Sequence, residues 1–582
     1  MNSPAILSLR RADFSPHQPE IRVPRNCWRG SPQCLLAVIL LATLAAHGQG
    51  GGTAESGPAA IRLNTVGYLP GQAKVASIPQ GCTNFFVVRV SDDSVVYSNT
   101  VTGPVWNADT GEQIWQADFS TVHATGKFRV TAPGAGGSPV FTIGPEVWQE
   151  PFWLVERGFY LWRCGTAVSE AWQGQTFAHG ACHTNDAWLD FATGGHTNVA
   201  STRGWHDAGD FNKYVVNAGV TVGVLFRAWD DFGPAIQKVP LGLPAAADQP
   251  PGLPDFLAEI KWETDWLLTM QAPDGSVYHK VSTQWFGGFI MPEDEHTPRY
   301  FTPWSSAATA DFVAMLALGA REFRPYAPAY ADQCLAAATK SYAFLTAHPE
   351  NHRADQSQFH TGTYEVNDRS ARLWAAAELW EATGRPDCLQ DFEQRCSAGG
   401  ARVDASFDYA NVGDLGEFTY LFSHRAGRNE SLVGLLRTHL LVMADGIVQK
   451  QQAHGYGRPL GSNYGWGGNG AVARQTVILH AASRLDPRPE YAAASYAALD
   501  FLLGRNVHGR SYVTGLGFHP PEHPHDRRSG ADNIVEPWPG YLVGGPNPGA
   551  KDWHDVQADY RTNEIAINWQ AGLVYALAAA LE

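Results

Sequence analysis

Residues 144–151 read GPEVWQEP, and the sequence changes period there. On the N-terminal side, 61–143 is broken into short apolar runs: NFFVVRV (84–90), VVYSNTV (95–101), QIWQADF (113–119), GKFRVTA (126–132) and PVFTI (139–143). Gly, Pro, Asn and Asp turns separate them, the pattern of a small β-sandwich. On the C-terminal side helix-period segments take over, at 146–164, 214–232, 255–271, 305–323, 331–347, 370–383, 431–452, 470–484, 489–504 and 563–581. Several are rich in Ala and Leu, strong helix formers. Many lack a strongly polar face, which suits helices packed on both sides. Ten such segments, with a few short ones between them, fit a barrel of paired helices. No repeat of fixed period appears, which argues against a solenoid.

Composition narrows the function. The 582 residues carry a net charge of −15, so nucleic acid and anionic membrane surfaces are poor partners, whereas a neutral polymer is not excluded. Aromatics make up 12% of the chain. Many must be core, and the surplus is compatible with flat faces that stack on sugar rings. Arg22, Arg25 and Arg29 precede the apolar run LLAVILLATLAA (35–46), followed by small residues. A run of twelve residues, apolar but for Thr43, suits a signal peptide better than a membrane span. The expected layout is a signal with a long n-region (1–48), a linker (49–60), a sandwich (61–144) and a helical domain (145–582), exported as a monomer. No other stretch reads as a membrane span. Cys27 and Cys34 would leave with the signal; Cys388 and Cys396 are candidates for a disulfide, whereas Cys82 and Cys334 read as readily as buried thiols.

The long connections 165–213, 272–304, 453–469 and 505–562 gather Gly, Trp, Tyr, His, Asp and Glu. Long loops in a compact domain are usually functional. The first ends in GWHDAGDFNKYV (204–215). Asp207 and Asp210 there have a plain structural reading, a turn cap and a helix cap. They also have a chemical one, since a carboxylate held near a like charge and a dry aromatic wall is a competent general base. Its partner acid would come from another loop–helix junction. In 551–582, Asp555, Asp559 and Glu564 precede an Ala/Leu helix, and apolar neighbours would raise the pKa of Glu564 as a general acid requires. A favourable acid at a helix N-terminus is the bland alternative. HPPEHPHDRRSG (519–530) offers His525, Arg527 and Arg528 as donors to ligand hydroxyls, or as a solvated charged loop.

These residues carry a family resemblance. GWHDAGDFNKYV, LLGRNVHGRSYVTGLGFHPPEHPHDRR (502–528) and WHDVQADYRTNEIAINWQA (553–571) resemble, in order, the three motif regions of family 9 glycoside hydrolases, mostly cellulases. VYHKV (277–281), GGFIMPEDEHTPRY (287–300) and SSAATADF (305–312) look like further family stretches, and the region beginning IRLNTVGYLP (61–70) resembles the immunoglobulin-like module of one branch. The resemblance implies an (α/α)6 barrel and inverting hydrolysis of β-1,4-glucan. By motif, Asp210 is the water-activating base, Asp207 holds the water or tunes the base, and Glu564 is the general acid. His525 and Arg527 bind the sugar beside the cleavage point, and Asp555 supports the site. Endo action is the leading expectation; exo action on cello-oligosaccharides or glucosamine oligomers is the alternative. Three positions depart from the pattern: His519, Asp526 and Gln570.

Cys164, Cys182, His183 and His206 supply two thiolates and two imidazoles, a closed tetrahedral zinc set. The adjacency of Cys182 and His183 is not a usual zinc spacing, and buried thiols with surface histidines is the alternative. The branch with the immunoglobulin-like module resembles this arrangement, which implies a structural zinc. Calcium is the weaker case, because Trp374 follows Ser370 and Ala371 where the family often has an Asp-Glu pair; Asp368 and Asp408 are the compensating candidates. Trp285, Trp304, Tyr464, Trp466 and Trp553 are candidate sugar platforms, or else loop aromatics anchored in the barrel.

Overall fold

The computed structural model describes residues 60–400 and 402–582. The expected signal (1–48) and the linker (49–60) up to residue 59 lie outside these residues.

Strands β1 (Gly67–Tyr68), β2 (Val75–Ile78), β3 (Asn84–Arg89), β4 (Val95–Thr100), β5 (Thr102–Asn107), β6 (Glu112–Asp118), β7 (Gly126–Ala132), β8 (Gly136–Gly137) and β9 (Phe141–Ile143) form two sheets. One has the order β1-β9-β7-β3-β4 with β8 on β7, the other β2-β6-β5. Alternation decides which side chains face inward. Phe85 and Val87 of β3, Phe128 and Val130 of β7, and Phe141 and Ile143 of β9 are buried in one apolar cluster with Ala117 and Phe119.

Helices then follow: α1 (Gln149–Leu161), α2 (Asp190–Thr193), α3 (Val215–Ile236), α4 (Asp255–Thr269), α5 (Ser306–Glu322), α6 (Pro328–Ala347), α7 (Arg369–Thr383), α8 (Pro386–Gly399), α9 (Gly413–Phe422), α10 (Glu430–Ala453), α11 (Gly468–Leu485), α12 (Pro489–Leu502), α13 (Tyr560–Asn563) and α14 (Ile567–Ala579). Two of these are four-residue turns, and the other twelve alternate inside and outside, giving an (α/α)6 barrel. The inner helices α3, α5, α7, α9, α11 and α14 are buried almost throughout, and α11, α14, α3, α5, α7 and α9 pack as successive neighbours. Small residues permit this closeness. A Cβ at Gly223 of α3 would stand 2.6 Å from Leu415 of α9 and 2.8 Å from Trp374 of α7.

Ten helices fall where the periodicity puts them; α8 and α9 are among the shorter helices expected between these, at places the periodicity does not give. Pro386 at the first turn of α8 and Gly400 in the left-handed conformation beyond its end are ordinary start and stop signals. The helix decides against the candidate Cys388–Cys396 disulfide, a pairing that sequence leaves open. Eight residues along one helix separate the thiols by about 12 Å of rise, beyond the roughly 7 Å Cα limit of a disulfide. Both are buried free thiols. A second correction concerns α10, which is long and apolar enough to cross a membrane by length and composition. Its stripe Leu432, Leu436, Leu440, Ala444 and Ile447 is instead buried against the barrel.

The sandwich docks on the loops beside α10 and α12. Asn64 donates to Asp500 at 3.0 Å, Arg505 to Ser77 at 2.9 Å, and Ser77 to the Gly455 carbonyl at 2.8 Å.

Candidate functional site

Loops at one end of the barrel bring the two acidic motifs together. The 204–214 loop is nailed to α4: the Trp205 amide donates to Glu263 at 2.7 Å and its indole to Glu259 at 2.8 Å. The loop closes on itself through the Asp207 amide and the Asn212 carbonyl, 3.0 Å apart. It is also stitched to the C-terminal motif. Ala208 pairs with Ala566 in an isolated bridge, and the Ile567 amide donates to the Asp207 carbonyl at 2.9 Å. Glycine is required at 209, where a Cβ would lie 2.2 Å from the His525 carbonyl oxygen. The Arg527 amide donates to the Gly209 carbonyl at 3.2 Å, and His525 bridges Glu564. All three motif regions are thereby held by backbone contacts.

The carboxyl groups differ in environment. Asp207 is buried and accepts from Tyr364 Oη at 2.7 Å and Asn217 Nδ2 at 2.8 Å. Burial, then the charge of Asp210, push its pKa up to about 8 against those two donors. Asp210 Oδ2 accepts from Asn212 Nδ2 at 2.7 Å and Tyr214 Oη at 3.0 Å. Glu564 is raised well above the usual carboxylate range, first by burial and then by Asp210 and Asp207; Arg527 and the Gly209 amide pull the other way. Asp207 and Glu564 are thus both biased toward the neutral acid, and Asp210 stands beside them with two donors on one oxygen. A proton acceptor and a protonated acid on separate loops would be the division of labour that acid–base chemistry needs.

Asp555 takes its place behind this site. It accepts the amides of Glu522 at 2.9 Å and His523 at 2.8 Å, Arg510 Nη2 at 2.8 Å and Asn563 Nδ2 at 3.2 Å, which ties the 519–530 loop to the segment before Glu564. His525 binds the Gln557 carbonyl through Nδ1 at 2.7 Å, and burial lowers its pKa. Arg527 reaches the Gly287 carbonyl at 3.2 Å. Two of the departures from the family pattern are structural. Gln570 is buried and bonds Val155, Gly540 and Leu542, while Asp526 is buried in an ion pair with Arg528 at 3.0 Å. His519 has a left-handed φ of 43°.

The aromatics divide. Trp466 is 56% exposed and packs against Tyr560, itself 6.0 Å from His525. Trp304 lies flat on His352 at 3.7 Å and meets Phe344 edge-to-face, and the exposed Trp285 lies flat on His360 at 3.6 Å. Tyr464 is a strut: its hydroxyl donates to Asp109 of the sandwich at 2.7 Å and Arg458 covers its ring at 4.0 Å. Trp553 is buried edge-on against Tyr512 and His508.

Cys164, Cys182, His183 and His206 converge, with one ligand atom from each lying within 4.8 Å of the others. Cys164 Sγ is 3.7 Å from His183 Nδ1, and Cys182 Sγ is 3.7 Å from His206 Nε2. Such separations suit atoms sharing one tetrahedral ion. Glu295 meets the far nitrogen of His183 at 3.1 Å, the outer carboxylate that metal-bound histidines usually have. These residues can hold a metal ion. Asp368 and Asp408, the calcium candidates, are instead engaged by Arg372 and Arg474, each at 2.6 Å.

Tyr364, Asn217, Tyr214, Asn212 and His360 were not singled out by the sequence. Tyr364 lies far along the chain from the acids, in a polar connection with no motif. Its left-handed φ of 42° is the one local sign, visible only in the fold.

The chain matches the family model for glycosyl hydrolase family 9 over residues 151–577, and that for the cellulase N-terminal ig-like domain over 56–137. It is 53% identical over 521 residues to endoglucanase D of Acetivibrio thermocellus, covering 89% of this chain and 83% of that protein. Among solved structures it resembles a metagenome-derived glycoside hydrolase family 9 endoglucanase, with 34% identity and a TM-score of 0.83, covering 90% of this chain and 98% of the other. It also resembles a Zn-binding triple mutant of the family 9 endoglucanase J30, with 32% identity and a TM-score of 0.82, covering 88% and 99%. With most of its helical barrel inside the first match and most of its sandwich inside the second, the chain is a member of glycosyl hydrolase family 9 carrying the N-terminal ig-like domain of cellulases.

Proposed function

We propose that the protein is an exported, inverting endo-β-1,4-glucanase, acting as a monomer with a sandwich at 61–144 and a catalytic domain at 145–582. The observation that carries this reading is the facing pair of loops, one with Asp207 and Asp210 and the other with Glu564, joined backbone to backbone at Ala208 and Ala566. Asp210 takes a proton from water as the oxygen attacks the anomeric carbon. Glu564 gives its proton to the departing glycosidic oxygen. Asp207 helps hold the water and tunes the base. His525 and Arg527 bind the sugar next to the scissile bond, Trp304 and Trp466 flank the cleft as platforms, and Asp555 positions the His525 loop. Tyr464 acts on substrate only through the loop it braces.

The four-ligand set fits zinc, with Cys164, Cys182, His183 and His206 as ligands. Zinc so held has no open position for water, so its chemistry is structural: it fixes the loop that ends at Asp207. The ion-paired Asp368 and Asp408 give no support to a calcium at that place.

Endo and exo action separate on a soluble β-1,4-glucan followed by viscosity and reducing ends together. Internal cleavage is expected to collapse the viscosity while few reducing ends have appeared. Viscosity that falls no faster than sugar is released would favour action from chain ends, and product masses from cello- and glucosamine oligomers would then assign the substrate.

A further inference from the structure

A buried lysine stands behind the acid pair. Lys280 lies on the short strand Lys280–Ser282, opposite Tyr214 of the strand Lys213–Tyr214. It is fully buried, and its Nζ donates to Thr361 Oγ1 at 3.1 Å and to the Gly362 carbonyl at 2.7 Å. The ammonium sits 5.5 Å from the Tyr214 ring centre and 5.2 Å from that of Phe359. All these partners are neutral. A buried ammonium without a counter-charge is costly, so its charge must be answered from further off. The phenol beside it leads to the answer, since Tyr214 Oη donates to Asp210 at 3.0 Å.

The same lysine grips a segment that reaches both acids. The Gly362 amide donates to Tyr214 Oη at 3.2 Å, and Tyr364 Oη to Asp207 at 2.7 Å. Flanking residues reinforce the grip: Ser282 Oγ meets Thr361 Oγ1 at 2.7 Å, and His279 Nε2 meets the Thr363 carbonyl at 2.7 Å.

We propose that Lys280 is a positioning residue for the water-activating carboxylate: its ammonium is the counter-charge that faces Asp210 across Tyr214, and its hydrogen bonds hold 361–364 against both acids. The inference rests on the reading of Asp210 as the base. The titratable and charged groups around Asp210 are Asp207 on its own loop, Glu564 before α14, His525, Arg527, Tyr214, Tyr364 and Lys280. Burial biases His525 toward its neutral form, which leaves Arg527 on the Glu564 side and Lys280 behind Tyr214 as the cations of the set. Burial draws Lys280 down to about 7 while Asp210 pulls it back up, as two attracting charges require. Through the acidic range, where the base gains its proton, the lysine is therefore charged.

The test is the pH dependence of kcat/KM on soluble β-1,4-glucan for Lys280→Met, Lys280→Gln and Lys280→Arg, beside Asp210→Asn. Without the ammonium the base is harder to ionise, so the acid limb is expected to move up by about one pH unit in the Met and Gln variants. At the wild-type optimum kcat should then fall about tenfold, with KM within about twofold. Lys280→Gln keeps a donor for Thr361 and Gly362, which separates charge from grip, and Lys280→Arg should leave the limb in place. An acid limb unmoved in both neutral variants overturns the proposal. So does failure of both to fold, since Lys280 would then be a structural clamp. If Asp210→Asn keeps the wild-type rate, the reading of the base itself has failed; if it is inactive while the limb stays put, only the role of Lys280 has.

Discussion

Replacing Glu564 by Gln is expected to slow cleavage of unmodified β-1,4-glucan by about 10²- to 10⁴-fold, the usual worth of a positioned acid. The same variant should cleave a cellobioside with a strongly acidic leaving group at near the wild-type rate, because such a group departs without a proton. Asp210→Asn should lose both reactions, since water must be activated whatever the leaving group. The basis is the asymmetry of the site. Burial first, then the neighbouring Asp210 and Asp207 carboxyl groups, raise the pKa of Glu564, while Asp210 accepts from the hydroxyl of Tyr214 and the amide of Asn212. The raised pKa also fixes the sign of the basic limb. Activity needs the protonated acid, so it is full below the Glu564 pKa and lost as pH rises through it. In Asp210→Asn one of the like charges is gone, and the residual basic limb should move to lower pH. Initial rates on the two substrates across pH check all of this. Equal losses on both substrates in Glu564→Gln would remove Glu564 from the acid's role.

Stripping metal from the four-ligand site is expected to cost about 3–4 kcal/mol, the mass-action value for a metal held 100- to 1,000-fold above its Kd. The loss should appear first as a lower unfolding midpoint, and activity should decline only as the fold does. The reason lies in what the ligands tether. His206 is adjacent to Asp207, Cys164 follows α1, and Cys182 and His183 belong to the loop that Glu295 braces. Cys182→Ala should lower the midpoint similarly while the folded fraction keeps its kcat within a few-fold. Cobalt substitution gives a readout independent of turnover, since thiolate-to-metal absorption should appear in the wild type and weaken in the variant. An immediate, reversible loss of rate at an unchanged midpoint would instead mean that the metal takes part in the reaction.

The parts legible in the sequence are those whose physics is local. Periodicity marks ten helices, and short apolar runs broken by turn residues mark the sandwich, because each element buries one face or nearly all of itself. Helices α8 and α9 were passed over. The α8 segment is polar and its Pro386 and Gly400 were not read as boundaries; α9 is ten residues long, too short for a pattern to stand out. Helix α8 also settles the candidate pairing of Cys388 and Cys396, which sequence leaves open. At the site, the family resemblance singles out the candidate acids and the candidate metal set, and the fold brings each group together. What the resemblance leaves out is what the fold assembles from afar: Tyr364 on Asp207, Lys280 behind Tyr214, and Asp109 of the sandwich on Tyr464. Each is an ordinary residue in sequence. Each becomes specific only when a distant loop is folded against it. Gln570 and Asp526 carry the opposite lesson, as departures beside reactive motifs that the structure spends on packing and an internal ion pair.

The most direct test of the chemistry is the configuration of the first product. Water activated by Asp210 attacks the face opposite the leaving group, so cello-oligosaccharide cleavage followed by proton NMR should show the α-anomer first, with the β-anomer growing in only by mutarotation. A β-anomer at the earliest times would require a covalent intermediate and two displacements, and would contradict the assignment of Asp210 as base and Glu564 as acid in a single inverting step.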